Sequence, residues 1–545
     1  MKVNHISQND TLAKNTPNFK GGGDAVLRYL ATNQAVGANC VDLGFMVIPR
    51  TASDLVRRGP DAGLETGRRE AMGTVNDSLI GVYGIGAGAL VSAVMGMNKK
   101  FGAKVNQMMA APETINILAE NKARQLMENK SQLDYLKETL RNVKAYNPTA
   151  AGADAAGFVT IPESTIDEVV QIMDSAITDK KMDFKKWSKK GSENSLDVVM
   201  NLITEKTGAQ SKYVLKSLEN EGVSETSLKT LLEDIYKLSE AFNQRSVKEH
   251  FLEQIKAGKK VAENGFIKSF LKYGKAKSIA GFGIAAAVGL SVQPINMYLT
   301  KKKTGSDGFV GVEGRTKDTS KGFFAAKVAS AVAFSAMILK SIGTGLSGFM
   351  DKMAFKGFWP TINQLKGVFG ITIISRIFSA RDKDELRESL TKDTLGFLSW
   401  LILGDIVNKM TAEALDKSVM NRTKDVEKEG WFKRIFHSSL KTRDEILLET
   451  LSANGVETVK NKDGKLVAKT FRELEKELEK LPEAIRKQTK KRLRTLNGAQ
   501  LAGYMFSGLV LGLGIPNLNI AITNALDKKR KAKAEAEAQK QEVKA

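Results

Sequence analysis

The residue with the clearest chemical potential in this chain is an acid set among hydrocarbon side chains. Asp405 stands in "LSWLILGDIVNKM", and a carboxylate there is costly unless it is paired or functional. Cations interrupt two similar stretches, Lys340 in 323–345 and Lys366 with Arg376 in 358–380. Asp405 with Lys340, Lys366 or Arg376 would make an intramembrane ion pair able to line an ion or proton path. A second pattern is the glycine series Gly84, Gly86 and Gly88 in "YGIGAGAL". A dinucleotide turn needs G-x-G-x-x-G in a βαβ unit, with an acid about 20 residues on; neither follows here. Small residues four apart serve close helix packing better. Gly84 with Gly88, then Gly281, Ala285 and Gly289, then Gly508 with Gly512 form such stripes.

Other chemistries lack their residues. Cys40 is the single cysteine, which rules out a disulfide framework and a cysteine metal site. His5, His250 and His437 are far apart. No P-loop, nucleophile elbow, H-E-x-x-H or EF-hand pattern occurs, so no catalytic, cofactor or metal-ligating set is expected. The chain carries 83 Lys plus Arg against 61 Asp plus Glu, a net +22, which favours an anionic neighbour. Arg50, Arg57, Arg58, Arg68 and Arg69 lie just ahead of the first apolar run, where anionic lipid headgroups are the expected partner. Aromatics do not interleave with these cations, so nucleic acid is not expected.

Solvent decides where such residues can sit. Residues 78–98, 278–300 and 495–526 contain no charge, and each exceeds the roughly 20 residues needed to cross a bilayer core. Three more apolar segments, 323–345, 358–380 and 394–410, are interrupted by charge. The ends of two runs repeat. "GLSVQPINMYLTKKK" from Gly289 lies without a gap on "GLGIPNLNIAITNALDKKR" from Gly512, pairing Asn296 with Asn519 and setting Pro294 one place from Pro516. Each reads as the exit end of a membrane helix. The proline loosens the last turns, the asparagine bonds the freed backbone, and the cations meet headgroups. A duplicated membrane module is one explanation; chance likeness of two apolar helices is the other.

The polar blocks are helical by periodicity. A helix begins at Pro112 and Glu113, and short amphipathic helices follow to about residue 257. Asp463-Gly464, flanked by Val456, Val459, Leu466 and Val467, predicts a β-hairpin. A charged helix pair broken near Pro482 comes next. The expectation is a mostly α, multi-pass helical membrane bundle with soluble helical domains and one small hairpin. Its parts are a flexible basic region 1–77, a first span 78–98, a soluble helical domain 99–277, an apolar bundle 278–423, a polar block 424–494, a last span 495–526 and a charged tail 527–545. The combination of "PNFKG", "KDTLGFLSW" and the repeated "GLxxxxxN" resembles an uncharacterised multi-pass bacterial membrane family. The resemblance implies an inner-membrane location and carries no activity.

The functional expectation is a non-enzymatic scaffold or membrane-organising protein, with soluble blocks on the cytoplasmic side binding a protein partner. A transporter or channel component is the alternative, and a secreted helical effector that inserts into a target membrane is a third. No cofactor is expected, and an oligomer is compatible with the packing stripes.

Overall fold

A computed structural model describes residues 26–27, 30, 34–97, 110–179, 182–217, 223–305, 317–355 and 360–542. "PNFKG" and the Gly21–Gly23 hinge lie outside them. The described chain is mostly helical, in an apolar bundle and a polar body.

The bundle starts earlier than the charge pattern suggests. A continuous helix runs Gln34–Val41, through a π-helical turn Asp42–Val47, to Ile48–Arg58. Pro60–Ser78 turns back, starting on a proline whose missing N–H costs nothing there. After a break at Leu79 the chain continues as Ile80–Val94, bent by 53°. The region expected to be flexible as far as residue 77 is therefore helical from Gln34, because its charges are neutralised inside the bundle.

Gly265–Thr304 returns along this bent pair. Its N-cap Asn264 accepts from the Phe266 and Ile267 amides, and Gly305 closes it with φ 74°. Lys321–Ile342 follows, capped by Ser320 and ended by Gly343 at φ 72°. Ile362–Ser379 opens on a Thr361–Gln364 capping box, and Asp382 caps Lys383–Leu398. That helix passes through a π turn, Ser399–Leu403, into Gly404–Leu415. Last come Glu483–Ser507, the π turn Gly508–Gly514, and Ile515–Glu542.

Three helices are long and apolar enough to cross a membrane, Gly265–Thr304, Lys321–Ile342 and Glu483–Arg530, with a fourth if the bent pair counts as one span. Six apolar segments were expected. Within 358–380 and 394–410 the described helices Ile362–Ser379 and Gly404–Leu415 are not both long and apolar enough.

The polar body holds the largest core, built on Tyr135, Trp187, Tyr213, Tyr236 and Phe242, with the Trp187 and Tyr236 rings stacked at 4.7 Å. It contains an antiparallel sheet in the order Phe158–Thr160, Val143–Tyr146, Tyr213–Lys216, Val223–Thr226, which corrects the purely helical expectation. The predicted hairpin is present, pairing Val459–Lys462 with Lys465–Ala468. Its turn residues Asp463 and Gly464 have φ 52° and 79°, both positive as a type I′ turn requires.

That hairpin does not stand alone. Asn194 donates its amide to Leu466 O at 2.8 Å and accepts from the Leu466 amide at 3.1 Å. Glu205 accepts from Thr458 Oγ1 at 2.8 Å, and Glu445 accepts from the Gln210 amide at 2.7 Å. The two polar blocks thus form one packed body.

Candidate functional site

The bundle buries charged side chains and exposes apolar ones. Val82, Leu90, Val94, Ile295, Phe324, Val332, Leu509 and Leu513 are exposed, while Arg50, Glu65, Arg69, Glu70, Arg376, Arg381 and Asp393 are buried. A water-soluble bundle solvates its charge and exposes little contiguous hydrocarbon; this one buries charge beside a hydrocarbon core that includes Phe334, Val368, Ile373 and Phe397.

The buried charges lie in separate groups along the bundle. Glu70 sits at the centre of one with four cations: Arg376 at 3.1 Å, Arg69 at 3.3 Å, and Arg50 and Lys392 each at 3.5 Å. Arg376 also bonds Asp393 at 2.8 Å. Nearer the turn between the first two helices, Arg381 bridges Glu65 at 2.7 Å and Glu385 at 2.9 Å, and Arg58 pairs with Glu388 at 2.8 Å. In the other direction Thr74 donates to Asp42, and Asn76 accepts from the Tyr83 hydroxyl at 3.1 Å. From Glu65 to Asp77 the chain covers about 18 Å at 1.5 Å per residue.

Two equivalent units build this cluster. In each, a lead helix carries G-x-x-[V/I]-I-x-R, at Gly44–Arg50 and at Gly370–Arg376. In each, the next helix carries E-[T/S]-x-x-[R/K]-[E/D]-x-[M/L]-G, at Glu65–Gly73 and at Glu388–Gly396. With these aligned, both second helices start at the same place, Pro60 and Lys383, and both lose regular geometry at the same place, Leu79 and Ser399–Leu403. A polar insert follows in each, and then a long helix with the repeated ending.

Similar contacts hold each unit together, matched at both residues only for the asparagines. Asn296 Nδ2 donates to Glu65 O, and Asn519 Nδ2 to Glu388 O, both at 3.0 Å. Arg68 donates to Thr300, and Arg387 to Thr523. Lys303 pairs with Asp61 at 2.7 Å, and Arg530 with Asp384. The lead helices are exchanged. A Cβ on Gly289 of the first long helix would stand 2.9 Å from Thr372 Oγ1 of the second lead helix. One on Gly512 of the second long helix would stand 2.8 Å from Phe45 O of the first. Each arginine likewise crosses over. Arg50 Nη2 lies 3.2 Å from the Cβ position of Gly396, and Arg376 Nη2 lies 3.7 Å from that of Gly73.

At the junction a cleft of about 30 Å³ is lined by Glu65, Thr66 and Arg69 and by their counterparts Glu388, Ser389 and Lys392. That volume accommodates water. Glu65 Oε2 and Arg69 Nε are buried without a partner among the described residues.

The expected ion pair is not formed by the expected residues. Asp405 pairs with Lys409 at 2.8 Å, one turn on, and its side chain is 60% exposed. Lys366 donates to Ser341 O at 2.7 Å, and Lys340 is exposed in the last turn of its helix. Arg376 alone joins the buried cluster, with Glu70 and Asp393 as partners. Arg50, Arg58 and Arg69, expected at headgroups, turn inward to acids, and Arg57 remains exposed.

The packing residues lie at helix contacts. Gly84 and Gly281 approach under the Phe355 ring, and Gly508 meets the Phe45 ring. Gly88 O accepts from Tyr273, and Ala285 O from Asn76. Pro294 lies inside an unbroken helix and Pro516 in the first turn of one. Asn296 and Asn519 reach a neighbouring helix rather than backbone freed in their own.

The chain was compared with family models, with characterised proteins and with solved structures, and nothing matches.

Proposed function

We propose that this chain is an integral membrane protein that passes a small charged species across the bilayer, with the buried cluster between its two equivalent units as the route. The observation that carries this reading is the series of buried ion pairs inside a bundle that exposes hydrocarbon side chains. Ionisable side chains inside a membrane are expensive, and they mark substrate paths and proton relays. In duplicated transporters the site lies at the repeat interface, where Glu65, Arg69 and Glu70 meet Glu388, Lys392 and Asp393. The two long helices and the bent helices beside them run antiparallel in both units, so the polar inserts leave at one end of the bundle and the cations Lys301–Lys303 and Lys528–Lys531 at the other. In this reading the inserts and the cation clusters face opposite sides of the membrane.

The test is flux in proteoliposomes of zwitterionic lipid, with pH-sensitive and potential-sensitive dyes inside. The pH gradient, or a sodium, potassium or chloride gradient, should collapse faster than in empty vesicles, and Glu70→Gln should abolish the difference. If the parent protein accelerates none of these four, the reading fails.

A scaffold is the second reading. It is favoured by the interlocked polar body and by the helix Trp431–His437, which exposes Trp431, Phe432 and Phe436.

A further inference from the structure

Two buried acids stand apart from the buried ion pairs. Asp42 is 2% exposed and Asp77 1%, and among the described residues neither has a cation within ion-pair distance. Asp42 accepts from the Thr74 hydroxyl through one oxygen, and its Oδ1 has no partner. Asp77 Oδ1 is also buried without one. Thr74 and Asp77 are three residues apart on one helix, so their side chains neighbour each other, and the two carboxyls share one patch.

The groups around that patch come from four helices. Arg50 shares the lead helix with Asp42, and Arg69, Glu70, Thr74 and Tyr83 share the bent helix with Asp77. Arg376 comes from the second lead helix, and Lys392 and Asp393 from the helix after it. The cations among these are engaged by Glu70 and Asp393. Two neighbouring carboxylates shut away from water, with the nearby cations already engaged by other acids, do not both stay charged. A proton on either acid also supplies the donor that both bare oxygens lack.

We infer that Asp42 and Asp77 form a proton-binding pair that holds one exchangeable proton beside the buried ion pairs. This rests on the transport reading for its purpose, and the proton would then be the species moved or the one that drives movement. Asn76 and Tyr83 lie next along the helix, where the Tyr83 hydroxyl donates to Asn76 Oδ1 at 3.1 Å.

Carbodiimide labelling tests the pair without flux. A membrane-permeant carbodiimide takes the proton of a carboxylic acid on nitrogen, while the carboxylate oxygen bonds the central carbon. The adduct then rearranges to a stable N-acylurea, with nothing lost. The full-length protein in detergent is treated over a pH series and digested, and the label is located by tandem mass spectrometry. Label should appear on Asp42 or Asp77 and fall about tenfold per pH unit above the pair's midpoint. Asp42→Asn and Asp77→Asn should each change that midpoint at the remaining acid. Absence of label on both acids at every pH overturns the pair, as does label on either that ignores pH. Pair labelling without vesicle flux would sink the transport reading alone, and flux without pair labelling would sink the pair alone.

Discussion

Removing Arg376 should harm the bundle chiefly through the acid it leaves behind. Glu70 would keep Arg50, Arg69 and Lys392, but Asp393, 1% exposed, has Arg376 as its one ion partner among the described residues. Arg376→Met breaks charge-assisted bonds at 2.8 and 3.1 Å and strands a buried carboxylate. Breaking such a pair from one side costs about 3–5 kcal/mol. Replacing both partners, as Arg376→Met with Asp393→Leu, removes the stranded charge and should recover to within about 1–2 kcal/mol of the parent. Unfolding in mixed micelles under rising dodecyl sulfate, followed by circular dichroism, gives both numbers. A single variant within about 1 kcal/mol of the parent would refute the argument. So would a double variant no better than the single.

Three further outcomes follow from the geometry. Asn296→Ala and Asn519→Ala each lose one bond of 3.0 Å to a neighbouring helix, so each should cost about 1 kcal/mol; strongly unequal losses in the same assay would count against equivalent units. Gly289→Val and Gly512→Val should each cost about 1–3 kcal/mol from overpacking, while Gly86→Ala, with nothing near its Cβ position, should not, as thermal melts in detergent would show. Burial pushes the Asp234 carboxyl in the polar body up to about 8. The unfolded chain releases that proton near pH 3.8 and the folded one near 8, so stability should fall as pH rises between those values and level off above. Asp234→Asn should therefore gain on the order of a few kcal/mol at pH 8 over the parent and little at pH 4, read from melts at both.

Local features were legible and distant ones were not. The helix start at Pro112 and the hairpin turn at Asp463-Gly464 follow from a few adjacent residues, and both stand as read. The four-stranded sheet escaped because its strands, such as VKAY and VSET, are short and half polar, and become strands only by pairing on either side of Tyr213–Lys216. The cluster escaped because Arg376 and Glu70 are 306 positions apart, and one sequence does not announce such a meeting. Asp405 drew notice for its apolar neighbours, yet Lys409 one turn away was the simpler partner. A signal for the site did exist. The repeated ending at Gly289 and Gly512 invited a search upstream, where Glu65–Gly73 and Glu388–Gly396 carry the same pattern.

The exchanged lead helices bear on how the chain can be divided. Each half donates a helix to the other's long helix, so neither half owns a complete interior. Synthesised separately from a break between Thr304 and Lys317, each fragment would present a raw groove. Supplied together, the two should find one another and rebuild the whole without a peptide bond between them.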